Sequence, residues 1–168
     1  MNNNLLLVGG ALFFWFLSSR KPERESVKAT DMEWYKALLS EYHPDAPDDE
    51  QKMEGGLMDR MKNPIITVQQ HTSNRQKFPY VSVAADLDLR GAAVEYGTRI
   101  YFGSYPDYVF RLVDTGSHFR GPQKKIRKPG YEPFDIATNY GSKLGFAGKE
   151  TVYRIDRNDT LKKRQNVA

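Results

Sequence analysis

Two aspartates stand in settings where a carboxylate can do acid–base chemistry. Asp114 lies in FRLVDTGSHFRG and Asp135 in GYEPFDIAT. Each follows apolar residues: Phe110, Leu112 and Val113 before the first, Phe134 before the second. Gly116 and Gly121 surround the first, so a strand ending at Asp114 can turn at once. A carboxylate held at the end of a buried strand is desolvated, and a second carboxylate nearby disfavours its charge further. Both effects lift an acid above the ~3.9 of a free Asp. A single group that first donates and then accepts a proton needs that lift. The competing reading of Asp-Thr-Gly is ordinary turn chemistry, in which the side chain bonds its own backbone.

The elements that would position these aspartates are short strands with Gly and Pro turns, as in an all-β barrel. Upstream, YVSVAADLDLRGAAVEYGTRIYF reads as a strand ending at Asp86, a turn at Tyr96-Gly97-Thr98, and an alternating strand from Arg99 to Phe102. Downstream, GKETVYRI is another alternating strand. Ile65-Ile66-Thr67-Val68 reads as the first strand of the barrel, which starts near Gly55-Gly56.

The ordered set VSVAAD, YGTRIYF, VDTGSHFRG, FDIAT and TVYRI resembles the three-aspartate family of double-psi β-barrels. That family includes the catalytic barrel of membrane-bound lytic murein transglycosylase A and the barrel of Firmicute resuscitation-factor-like proteins. The resemblance covers Glu54 to Ile155 and makes Asp86, Asp114 and Asp135 the three aspartates. It implies a six-stranded double-psi β-barrel with Asp135 as the catalytic acid and Asp114 as its partner. Asp86, Thr67, Thr98, Thr115 and Gly116 would be supporting residues, with Thr67 lining the cleft. The chain departs from the family in two places. The second motif reads Asp114-Thr115-Gly116-Ser117 where two glycines are usual, and the loop GPQKKIRKPGYEP is longer and more basic.

The activity implied is non-hydrolytic cleavage of the MurNAc–GlcNAc bond by one carboxylate, unlike the two-carboxylate hydrolases. Arg120, Lys124, Lys125, Arg127 and Lys128 form a basic lip suited to the carboxylates of peptidoglycan. Tyr131 and other aromatic residues are candidates for stacking on sugar rings, with Arg120, Lys124 and Tyr131 the expected substrate contacts. No cofactor is called for. Two functions fit: a membrane-anchored lytic transglycosylase, or a non-catalytic glycan-binding or virion structural membrane protein that retains the barrel.

At 168 residues the chain has room for one domain with a core. Its charge of +4 and pI near 9.2 suit an anionic partner. Aromatics and arginines are not interleaved as on a nucleic-acid platform, so nucleic acid is set aside. Cysteine is absent, which excludes thiol catalysis, cysteine zinc sites and disulfides. His43, His71 and His118 lack metal-site spacing. Asp45, Asp48, Asp49 and Glu50 lack the glycine and spacing of a calcium loop, so no metal is expected.

Residues 1–19 contain LLLVGGALFFWFL and no charge. A helix from Asn2 to Ser19 would reach about 27 Å at ~1.5 Å per residue, against a hydrocarbon core of ~30 Å. The start lacks the cations of a signal peptide and no A-x-A-like cleavage site follows, so an uncleaved anchor is expected. Arg20, Lys21, Arg24 and Lys28 follow it and none precedes it, which keeps the barrel on the cytoplasmic side. A cell-wall enzyme on that side fits a bacteriophage with an internal lipid membrane, which would carry it to the next cell wall. The expected locations are therefore a virion internal membrane or a bacterial inner membrane, with virion proteins as further partners.

Residues 20–29 read as a linker. Over 30–52, Thr30-x-x-Glu33 forms a capping box. Met32, Tyr35, Leu38, Leu39 and Tyr42 follow at helical spacing, which predicts an amphipathic helix and then an acidic connector. The barrel is expected over 53–157 and a mobile tail over 158–168.

Overall fold

The computed structural model describes residues 33–47, 56–116, 119 and 128–161. It is mainly β. The elements are β1 (Tyr35–Tyr42), α1 (Val68–Ser73), β2 (Val81–Ala84), β3 (Asp88–Leu89), β4 (Ala92–Ala93), β5 (Thr98–Phe102), β6 (Phe110–Asp114), β7 (Glu132–Ala137) and β8 (Lys149–Asp156). Six of them close a barrel in the order β1-β7-β2-β6-β5-β8, while β3 and β4 form a separate hairpin. Two pairs are parallel, β1 with β7 and β2 with β6, and the other barrel pairs are antiparallel. Closure leaves no open sheet edge.

Alternation fills the interior. Phe102, Phe110, Phe134 and Tyr153 meet inside, with ring centroids 5.0 Å apart for Phe102–Phe110, 5.1 Å for Phe102–Phe134 and 4.7 Å for Phe134–Tyr153. Their tilted or edge-on contacts suit aromatic quadrupoles. A smaller cluster of Tyr42, Ile65, Ala84, Phe119 and Ala137 forms a second apolar group.

The segment expected to be an amphipathic helix is β1. Its apolar residues fit a helical period, but Ala37 and Leu39 also alternate, and both are fully buried in the barrel. Two ladders, Leu39↔Phe134 on one side and Tyr35↔Tyr153 on the other, outweigh a weak local preference. Thr30 and Met32 lie outside the described residues, as do the anchor and the linker. The barrel therefore begins at Tyr35, well before Gly55. Among the described residues no helix is long and apolar enough to cross a membrane, and residues 1–19 are not among them.

The strand expected over Ile65–Val68 is not one. Ile66 donates to the Ser82 hydroxyl and accepts from the Ser82 amide, and then Thr67 caps α1. Thr67 and Gln70 form a reciprocal capping box, which the Thr-x-x-Gln spacing spelled out.

The residues that follow β8 pack against the barrel as far as Leu161, within the segment expected as a tail, and 162–168 lie outside the described residues. Arg111, only 1% exposed, donates to the carbonyl oxygens of Gly97 (2.9 Å) and Asp159 (2.8 Å) and to Asp159 Oδ1 (2.8 Å). Thr160 is fully buried. Gly97 has φ +75°, and a Cβ there would sit 2.5 Å from Leu161 Cγ, so glycine is needed twice over.

Candidate functional site

Asp135 and Asp114 arrive on two strands that flank β2. Asp135 pairs with Ala84 across the antiparallel β7–β2 ladder, and Ala84 pairs with Asp114 across the parallel β2–β6 ladder. Two strand spacings put their α-carbons ~10 Å apart. A register shift between Val83 and Ala84 makes this possible. Leu112 faces Val83 and Asp114 faces Ala84, so Val113 is the extra residue of a bulge that turns the aspartate to the Ala84 side. Phe134 and Ile136 point into the core, and Asp135 between them points to the opposite face.

Asp135 is held from β1. Ser40 is its register partner, and the Ser40 hydroxyl hydrogen bonds to Asp135 Oδ1. That hydroxyl also lies 3.3 Å from the Phe134 carbonyl. A side chain fixed at one oxygen presents the other in a defined direction.

Asp114 is half-buried, and burial pushes its carboxyl above the usual range. The Thr115 amide, 2.8 Å from Asp114 Oδ1, opposes this, the nearby Asp59 charge adds to it, and Arg60 opposes it. Asp59 is the residue that sequence reasoning missed. It is 3% exposed and its Oδ1 accepts from the amides of Met61 (2.8 Å) and Asn63 (2.9 Å). Its Oδ2 accepts from the Tyr96 hydroxyl at 2.5 Å. Burial raises the Tyr96 phenol strongly, and the Asp59 bond adds to that. The turn Asp59–Asn63 is legible as Asx chemistry. Its approach to Asp114 is tertiary and left no local mark.

The other expected residues divide. Asp86 follows β2 and caps a turn by accepting from the Asp88 amide at 3.2 Å. Thr115 and Gly116 adjoin Asp114, and the buried Thr115 hydroxyl has no hydrogen-bond partner among the described residues. Thr67 ties α1 to the end of β7, its hydroxyl donating to Asn139 Oδ1 at 2.5 Å. Thr98 is not brought to the aspartates: it is buried opposite Leu112, and its hydroxyl donates to the Glu95 carbonyl at 2.8 Å. Tyr131 is also elsewhere, at the start of β7, where its hydroxyl donates to Glu150 at 2.7 Å. Arg120 and Lys124 lie outside the described residues. Among the described residues, no three His, Asp or Glu side chains are gathered as metal ligands.

Comparison with protein-family models, curated proteins and solved structures gives no match. The two aspartates thus differ in setting: one carboxyl is oriented by a serine, and the other is half-buried and biased toward its protonated form.

Proposed function

We propose that this chain is a membrane-anchored lytic transglycosylase that cleaves the MurNAc–GlcNAc bond of peptidoglycan. The shared register of Asp135 and Asp114 through Ala84 carries this reading. Support for a double-psi barrel comes from six closed strands with two parallel pairs, and from the family resemblance of the motifs that supply both aspartates.

Asp135 is the acid and base. Its carboxyl gives a proton to the glycosidic oxygen as the C1–O bond breaks. The oxocarbenium-like centre at C1 is attacked by the sugar's own C6 hydroxyl, whose proton returns to Asp135. The new bond from C1 to the C6 oxygen closes a 1,6-anhydro ring, water is not consumed, and the acid is regenerated. Ser40 orients the carboxyl, and Asp114, when ionised, is the neighbouring negative charge that favours the protonated form of Asp135. Residues 1–19 are the membrane anchor, and a virion with an internal membrane is the proposed carrier, with virion proteins as neighbours.

Digestion of purified peptidoglycan followed by mass analysis tests this. Anhydro-muropeptides are expected from the parent chain and none from Asp135→Asn. Glycan binding without cleavage would establish the alternative, a binding or structural virion protein.

A further inference from the structure

A cleft of about 370 Å³ opens at the other end of β1 and β7 from the aspartates, lined by Trp34, Lys36, Arg90, Tyr131, Glu132 and Tyr153 among others. Glu132 precedes Asp135 by three residues on β7, ~10 Å at ~3.3 Å per residue, so the two places are distinct. Its volume falls in the range of small-ligand clefts, ~300–1,000 Å³, and admits one or two sugar rings.

Three features give it the chemistry of a ligand site. The first is an exposed aromatic wall. Trp34 is 47% exposed, an unusual state for so large an apolar side chain, and the Arg154 guanidinium lies 5.4 Å from its ring centroid. The second is a held cation. Arg90 occupies the left-handed region at φ +59° in the tight β3–β4 turn, with its guanidinium 4.4 Å from the centroid of Tyr35. A non-glycine residue there is strained, and such strain gathers at ligand clamps. The third is an unsatisfied group. Tyr153 is fully buried, yet its hydroxyl has no hydrogen-bond partner among the described residues. Burial raises this phenol, Glu132 adds to the effect and Arg90 opposes it, so both charges reach the hydroxyl. A buried hydroxyl without a partner costs stability, and a ligand that bonds it would recover that cost.

Aromatic faces take the C–H faces of pyranose rings, Glu132 accepts from sugar hydroxyls, and Lys36 and Arg90 outnumber it as cations. We propose that this cleft is a second, non-catalytic saccharide site that holds a carboxylate-bearing sugar on Trp34 with its carboxylate toward Arg90. It needs no activity at Asp135, so it stands or falls separately from the transglycosylase reading.

The test uses the full chain in detergent carrying Trp15→Phe, which leaves Trp34 as the single tryptophan reporter. Two disaccharide probes differ by one lactyl carboxylate: GlcNAc–MurNAc and di-N-acetylchitobiose. Saturable change in Trp34 emission is expected with GlcNAc–MurNAc, with affinity at least ~10-fold weaker for the neutral probe, about one charge-assisted hydrogen bond. Arg90→Asn, which tolerates the same backbone angle, should erase that preference. Tyr153→Phe should leave the unfolding midpoint unchanged or raised while weakening binding ~3-fold or more. Asp135→Asn should bind as the parent does. No saturable response, equal affinity for both probes, or undiminished binding by Arg90→Asn each overturns the proposal.

Discussion

Ser40 on β1 stands beside Asp135 on β7 and hydrogen bonds to its carboxylate across a parallel ladder. The two lie 95 residues apart in sequence, so barrel closure itself brings the hydroxyl to the carboxylate.

Asp135→Asn should fold and lose glycan cleavage by at least ~100-fold, the usual contribution of a general acid–base group. Ser40→Ala should cost about 10-fold in rate, since the carboxyl keeps its place but loses its orientation. Rates on purified peptidoglycan, with thermal midpoints measured alongside, check both. Unaltered cleavage by Asp135→Asn would end the catalytic assignment.

Asp114 sets a pH dependence whose sign follows from its raised folded-state pKa. Its contribution to stability is full below the unfolded value and is lost as pH rises through the folded one. Asp114→Asn keeps an oxygen for the Thr115 amide and removes the titration. The variant should therefore match or exceed the parent at pH 7, with the gap narrowing as pH falls toward 4. Urea midpoints across that range decide it, and a gap that widens on acidification would contradict the burial argument.

Arg111 depends on Asp159 beyond the last strand. Asp159→Ala should destabilise by about 3 kcal/mol, because a buried guanidinium loses its counter-charge. Chains ending at Arg157 should lose more. Urea unfolding measures both, and losses under ~1 kcal/mol would show that the clamp is solvated.

A chain beginning at Gly55 should fail to fold, since without β1 both β7 and β8 lose a neighbour. Near-ultraviolet circular dichroism reads this directly. A native spectrum would mean that β1 is an accessory.

Where apolar runs or alternation coincide with burial, local sequence was enough: β2 and β6 are apolar runs, β5 and β8 alternate, and Asp114 ends β6 while Asp135 lies within β7. β1 was not legible, because Tyr35, Leu38, Leu39 and Tyr42 satisfy a helical period while only long-range pairing makes them a strand. Ile65 and Ile66 misled in the other direction: two β-branched residues outweighed the Thr67–Gln70 cap that follows. Asp59, Tyr96 and the Arg111–Asp159 clamp are meetings of distant segments, and no spacing along the chain records them. The cleft at Trp34 escaped notice for the same reason.

β1 pairs with β7 and β8, the last two strands made. During synthesis at ~5–20 residues per second, β1 waits on the order of 5–20 seconds for β8 to follow it from the ribosome. Ala37 and Leu39 have no barrel to enter in that interval. Barrel closure must therefore wait for β8 and run through contacts of long loop-closure distance, which slows folding. Until β1 meets β7 and β8, the newly made chain leaves the apolar residues Ala37 and Leu39 uncovered by their barrel partners.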